Sequence, residues 1–167
     1  MPRFSVYTPT HDPRWLRDCH ASLVAQTDPD WEWVILRNGP GTFEIPAAVA
    51  ADPRVRIHDS LLQGVGALKG AAVKACAGDI YVELDHDDRL TPDCLAEIGA
   101  AADREPGGFY YSDFASVYPN GAPETFGSDW GWEQYEAEIA GRPHLCQRSF
   151  PPSAKAMSEI WFAPNHV

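Results

Sequence analysis

The chain is short of several things, and each shortage closes off a class of function. Its 167 residues carry 13 basic side chains against 24 acidic ones, a formal net charge of -11. That leaves no basic stripe for nucleic acid or for an anionic membrane surface. Cysteine is sparse: Cys19, Cys76, Cys94 and Cys146 are scattered, and none forms a C-x-x-C pair. A zinc site is therefore not expected, and reduced thiols packed as small hydrophobes in a cytoplasmic protein are. No apolar run approaches the length of a membrane span. Met1-Pro2-Arg3 leads straight into strand-forming residues, so no signal peptide is expected. No G-K-[ST] follows a glycine loop, which excludes a P-loop. Gly64, Gly66 and Gly70 are spaced one residue too wide for a dinucleotide fingerprint and do not follow the first strand.

What the chain does have is an apolar fraction of 44%, which suits a globular protein, and a length that suits one domain. Strand-like and helix-like stretches alternate. Phe4 to Tyr7 reads as a strand. Asp12 and Pro13 read as a cap and first turn for an amphipathic helix over 13–26, with Leu16, Cys19 and Leu23 inward. Trp31 to Leu36 is a second strand, with Trp31 and Trp33 as packing residues, stopped by the turn formers Arg37-Asn38-Gly39-Pro40. A short helix over 46–51 and a short strand over 55–57 follow. Gly64-Val65-Gly66 opens a helix carrying Leu68, Ala71, Ala72 and Ala75, which Gly78 ends. Ile80 to Leu84 is the fourth strand, Thr91-Pro92-Asp93 starts another helix, and Phe109-Tyr110-Tyr111 reads as a further strand before Ser112-Asp113. Such alternation predicts an α/β fold: a twisted, mostly parallel sheet with helices on both faces. The core is expected over 1–114. An irregular portion of the same domain follows over 115–167, with one helix from Trp132 to Ala140 that aligns Trp132, Tyr135 and Ile139. The hydrophobic end of the chain suggests a fragment of a longer protein.

The most informative residues are Asp85-His86-Asp87-Asp88, just past the fourth strand. In open α/β sheets ligands bind at the carboxyl ends of strands. Continued strand alternation would point Asp85 and Asp87 to one side, with His86 and Asp88 on the other. Neighbouring carboxylates repel each other, and a hard divalent cation relieves that repulsion. Mg²⁺ takes one or two carboxylates and fills its shell with waters and substrate phosphates. A solvated loop or helix cap is the other reading of such a cluster. The net charge favours the cation, because a chain this acidic attracts a diphosphate poorly without one.

Four stretches carry a resemblance. Ser5-Val6-Tyr7-Thr8-Pro9-Thr10, then Leu23 to Thr27, then Trp31 to Leu36, resemble the opening of the family 2 glycosyltransferases. Gly64 to Lys69 and Leu84 to Asp88 look like that family's G-x-x-x-A-R and L-D-x-D-D stretches, in the same order over about residues 4 to 113. The resemblance implies a GT-A fold, Mg²⁺ or Mn²⁺, and transfer of a sugar from a nucleotide-diphosphate donor to an acceptor hydroxyl with inversion. The acceptor would be a glycan, a lipid-linked molecule or another hydroxyl compound, and the protein is expected in the cytoplasm or, through parts not present here, at the inner face of a membrane. By the same resemblance Thr8, Pro9 and Thr10 touch the nucleotide, Asn38 reads the base, and Lys69 faces the diphosphate. Asp85, Asp87 and Asp88 are the catalytic carboxylates, with Asp87 the direct metal ligand and Asp85 near ribose and metal. Arg37-Asn38 departs from the family's Asp-Asp, which leaves base identity open. No stretch matches the family's general base, and Asp129, Glu133 and Glu136 fall in the predicted helix and its lead-in, so the base is expected beyond Val167.

Two other readings stand beside this one: a non-catalytic nucleotide-sugar-binding module, and a sugar nucleotidyltransferase. The latter needs a basic glycine-rich loop after the first strand, which Thr8 to Asp12 is not. Trp130, Trp132 and Tyr135 could stack on a sugar, although aromatics at that spacing more often pack in a core.

Overall fold

A computed structural model describes residues 1–39, 43–125 and 133–149. Two compact units make up the chain, the first ending at Gly108 and the second beginning at Phe109. That junction lies ahead of the boundary at 114 drawn from the sequence.

In the first unit, β1 (Phe4–Thr10), β2 (Trp31–Asn38), β3 (Val55–Ser60) and β4 (Ile80–Glu83) form a parallel sheet in the order β3-β2-β1-β4. Four helices connect them: α1 (Leu16–Val24), the short α2 (Ala47–Ala50), α3 (Val65–Ala75) and α4 (Cys94–Arg104). Strand alternation divides the apolar residues between two faces. Phe4, Val6, Trp31, Trp33 and Ile35 pack with Leu16, Cys19 and Leu23 of α1, Val49 of α2 and Leu95 of α4. Tyr7 and Leu36 pack on the other side with Leu68, Ala71 and Ala72 of α3. β2 is buried from Trp31 through Leu36, as an inner parallel strand covered on both faces should be. Both strand tryptophans are core residues, Trp33 wholly inaccessible and Trp31 nearly so.

Two local expectations shift. α1 begins at Leu16 rather than at residue 13, with Trp15 in the cap position and no side-chain cap. Asp12 instead accepts the Arg14 N–H at 2.9 Å in an Asx-type turn, a local bond that competes with helix capping. α3 ends at Ala75, ahead of Gly78. Gly78 is needed for a different reason: an added Cβ would lie 2.9 Å from the Ser5 backbone nitrogen and hydroxyl.

That close approach belongs to a network at the amino-terminal edge of the sheet. Ser5 donates to Glu32 at 2.6 Å and accepts the Gly78 N–H at 2.7 Å. Glu32 also accepts the Ala77 N–H at 2.6 Å and Arg56 at 2.9 Å. A buried carboxylate in β2 is thus fully paired. Burial pushes its pKa up, but the bonds from Ser5, Ala77 and Arg56 outweigh burial and hold it below the usual range.

The second unit is where sequence reading failed most. No strand covers Phe109 to Tyr111; the first in this region is the two-residue β5 (Phe114–Ala115). The predicted helix to Ala140 is a hairpin of β6 (Gln134–Ile139) and β7 (Arg142–Gln147), with antiparallel order β5-β7-β6. Trp132 lies outside the described residues. Tyr135, Ala137 and Ile139 are half-buried while Glu136 and Glu138 are exposed, a period of two. A four-residue spacing such as Tyr135 to Ile139 fits a strand as well as a helix. Ala140 and Gly141 decide it, with φ of 51° and 76°. Two consecutive left-handed residues make the tight turn that suits paired twisted strands.

Gly78→Ala should destabilise the chain by about 1–3 kcal/mol, because backbone has to move to admit the methyl group. A guanidinium melt checks this, and an unchanged midpoint would refute the close-packing account. Glu32→Gln should cost about 2–3 kcal/mol at neutral pH. The Glu32 pKa is lower folded than unfolded, so its contribution is complete above the unfolded value near ~4.3 and fades as pH drops through the folded value. Thermal melts should therefore show the difference between Glu32→Gln and the parent shrinking below about pH 4.

Candidate functional site

The chain runs outward from β1 to β2 and β3, then crosses back through α3 to β4 on the other side of β1. The reversal makes a crevice at the carboxyl ends of β1 and β4, the place where open α/β sheets bind ligands. Thr10 of β1 pairs with Arg37 of β2, Asn38 pairs with Ser60 of β3, and Tyr7 pairs with Glu83 of β4. The register brings Thr8, Pro9, Thr10, Asn38 and the residues after Glu83 to one edge.

β4 stops at Glu83, so alternation does not carry through the acidic cluster. Asp85 to Asp88 closes as a turn in which the Asp88 N–H donates to the Asp85 carbonyl at 3.0 Å. The expected split of Asp85 and Asp87 from His86 and Asp88 by strand period therefore has no basis, since a turn lacks that period. Asp87 is exposed and makes no hydrogen bond or ion pair among the described residues. The Asp85 side chain is 38% exposed and lies 3.5 Å from the Lys69 ammonium. Asp88 is half-buried and shapes the turn through its backbone. His86, expected on the side away from Asp85 and Asp87, is half-buried and stands edge-on to His11, with ring centres 5.1 Å apart.

The turn is held from behind by α1. The Cys19 thiol is inaccessible, and the His86 and Asp88 carbonyls accept from it at 3.2 and 3.3 Å. Burial, followed by the nearby Asp88 charge, pushes this thiol up to about 12, so it stays protonated and can donate. All four cysteines are free.

Thr8 and Thr10 are wholly buried. The Thr8 hydroxyl donates to the Leu84 carbonyl at 2.6 Å and accepts the Trp33 indole N–H at 2.8 Å. The Thr10 hydroxyl donates to the Asp12 carbonyl at 2.8 Å and accepts the Asp12 N–H at 3.2 Å. Both hydroxyls are occupied in shaping the edge from below, and neither is open to a ligand here. Pro9 is half-buried between them. Asn38 is half-buried, and its amide makes no hydrogen bond among the described residues. Its neighbour Arg37 grips Asp59 with two bonds of 2.6 and 2.9 Å and donates to the Phe43 carbonyl at 2.8 Å, so it braces the end of β2 against β3.

Lys69 reaches the edge from α3. It forms an ion pair with Glu83, whose other oxygen accepts the Tyr7 hydroxyl at 2.9 Å. Burial lowers the lysine pKa, but Glu83 and Asp85 outweigh it and raise the net value. Burial and then Glu83 push the Tyr7 phenol up as well. Sequence reading missed Tyr7 and Glu83. The available signal was a carboxylate inside an otherwise apolar parallel strand, where a charge needs a partner.

Among the described residues no three His, Cys, Asp or Glu side chains gather into a protein-only metal cage. The donor set nevertheless fits Mg²⁺ or Mn²⁺. Both are hard ions satisfied by one or two carboxylates such as Asp85 and Asp87 when a ligand's oxygens complete the shell.

In the second unit Asp113 accepts the Tyr135 hydroxyl at 2.7 Å and the Ser149 N–H and hydroxyl at 2.6 and 2.7 Å. Burial raises the Asp113 pKa, and these bonds pull it below normal. Tyr135, bonded to that carboxylate and then partly buried, is pushed up to about 12. Its hydroxyl is thus spoken for. Glu133 pairs with Arg148 at 3.1 Å, and Glu136 lies on exposed strand surface. Trp130 and Asp129 lie outside the described residues.

The chain is similar to known proteins. The model of glycosyl transferase family 2 matches residues 5–151. An O-antigen biosynthesis protein, RfbC, of Myxococcus xanthus is 30% identical over 112 residues, covering 63% of this chain and 9% of that protein. A chondroitin synthase of Pasteurella multocida is 30% identical over 138 residues, covering 78% of this chain and 14% of that protein. The chain thus spans only a small part of the length of the curated relatives it matches. Among solved structures, S. aureus TarS 1-349 in complex with UDP-GlcNAc superposes with a TM-score of 0.55 at 20% identity, over 73% of this chain and 37% of that one. That likeness concerns the fold, and the parallel sheet flanked by helices is of the GT-A, Rossmann-like kind. The match to the family model extends over most of the sequence, and the chain belongs to glycosyl transferase family 2.

Proposed function

We propose that this chain is the donor-binding part of a metal-assisted glycosyltransferase. It would move a sugar from a nucleotide-diphosphate donor to an acceptor hydroxyl with inversion, in polysaccharide or glycan synthesis. The observation that carries the reading is the meeting at one sheet edge of the exposed Asp87 carboxylate, the Asp85 carboxylate 3.5 Å from the Lys69 ammonium, and an Asn38 amide without a hydrogen bond among the described residues. The relatives named as chondroitin synthase and the TarS complex with UDP-GlcNAc support a nucleotide-sugar donor.

Each residue has a part that follows from its chemistry. The Asn38 amide can accept from or donate to a base edge. Asp87, with Asp85 beside it, would hold Mg²⁺ or Mn²⁺, and Lys69 would face the diphosphate. The bound ion would supply Lewis-acid stabilisation of the leaving diphosphate, worth several kcal/mol. The acceptor oxygen attacks the anomeric carbon opposite the bond to phosphate, that bond breaks with its electrons passing to the diphosphate, and the configuration inverts. A carboxylate base that takes the acceptor proton typically adds about 10²- to 10⁴-fold, and we assign it to no residue of this chain.

Thermal melts with UDP, with and without Mn²⁺, test the reading. UDP at about 100 times its Kd should add about 2.7 kcal/mol of apparent stability, and only when Mn²⁺ is present. Asp87→Ala should abolish the metal-dependent part while leaving the ligand-free melt unchanged, because the side chain is exposed. A variant that binds UDP and Mn²⁺ as the parent does, by calorimetry, would sink the assignment.

A further inference from the structure

Lys69 sits between two carboxylates that it does not treat alike. Its ammonium forms an ion pair with Glu83 and a second, at 3.5 Å, with Asp85. The Glu83 side chain is 18% exposed and that of Asp85 is 38% exposed, so the cation leans toward the drier partner. The Tyr7 hydroxyl holds the far oxygen of Glu83 at 2.9 Å. Tyr7 and Glu83 are register partners on β1 and β4, so this grip is built on the sheet itself, while Asp85 rides on the turn beyond it. Were Glu83 neutral, Asp85 would be the anion left beside the ammonium among the described residues.

We propose that Glu83, steadied by Tyr7, is a positioning residue that draws the Lys69 ammonium off Asp85 and keeps that carboxylate open to a divalent cation. This rests on the metal-assisted reading above. Lys69 and the divalent ion are rivals for Asp85, and Glu83 tips the contest toward the ion without ligating it. It also leaves Lys69 parked beside the crevice, charged and ready for an anionic ligand.

The test is a titration of Mn²⁺ into the nucleotide-free 167-residue chain, following the free-ion signal by electron paramagnetic resonance. Lys69→Met should tighten Mn²⁺ binding and Glu83→Gln should weaken it, each by about two- to fivefold, the range for a partly exposed ion pair. Tyr7→Phe alters no charge and should weaken binding in the same direction by less. The deciding measurement is the double-variant cycle. Placed on Lys69→Met, both Glu83→Gln and Tyr7→Phe should have no effect, because the residue they act through is gone. If Glu83→Gln weakens Mn²⁺ binding equally on both backgrounds, Glu83 acts through space or as a ligand, and the positioning role is wrong. Should Glu83→Gln fail to fold, by its far-ultraviolet circular dichroism, Tyr7→Phe on the two backgrounds decides in its place. A parent chain that takes up Mn²⁺ only when UDP is added overturns this inference alone, and one that leaves the Mn²⁺ signal untouched even with UDP overturns the metal-assisted reading as well.

Discussion

The side chain of Thr8 ties three strands together at the point where the site begins. From β1 it accepts the Trp33 indole N–H of β2 and donates to the Leu84 carbonyl just past β4. A hydroxyl has one proton to give and lone pairs to receive, and here both capacities are used inside the core. The bonds set the height at which β4 ends and the acidic turn starts. Cys19 then fixes the turn from the helix side through the His86 and Asp88 carbonyls. Asp85 and Asp87 are thus presented by a backbone anchored on two sides, which suits carboxylates that must hold position without bonding each other.

The two ends of the sheet use charge for opposite purposes. At the amino-terminal edge Glu32 is nearly buried and every capacity is met, by Ser5, Ala77 and Arg56. Such a group adds rigidity because leaving any member unpaired is costly. At the carboxyl edge Asp87 is exposed without a bonded partner among the described residues, and Asp85 is loosely paired. In a chain with a net charge of -11, leaving carboxylates open at a crevice makes physical sense if a cation is to come. Lys69 is the local cation, and its preference for Glu83 keeps the crevice from neutralising itself.

Much of this was legible before any coordinates. The alternation of strands and helices, the two buried tryptophans of β2, and the placement of Asp85 to Asp88 after the fourth strand all follow from residue periodicity and turn chemistry. Those signals are local and strong in parallel sheets, where inner strands are apolar runs bounded by punctuation. The hairpin of β6 and β7 was not legible in that way. Tyr135 and Ile139 satisfy both periods, and the left-handed turn at Ala140 and Gly141 that decides between them is a backbone conformation seen only in the folded chain.

The sequence by itself determined the family, the parallel sheet, and which residue types stand at its carboxyl edge, because these depend on order along the chain. Only tertiary structure decided which of those side chains are open. Thr8 and Thr10 look like ligand contacts in the sequence, yet their hydroxyls turn inward to bonds with Trp33, Leu84 and Asp12. Glu83 reads as one more strand residue, yet it pairs with Tyr7 of the neighbouring β1 and meets Lys69 from α3. The physical reason is that a hydrogen bond or ion pair is a statement about two groups. When the partners are separated by a crossover, neither stretch of sequence contains the pair.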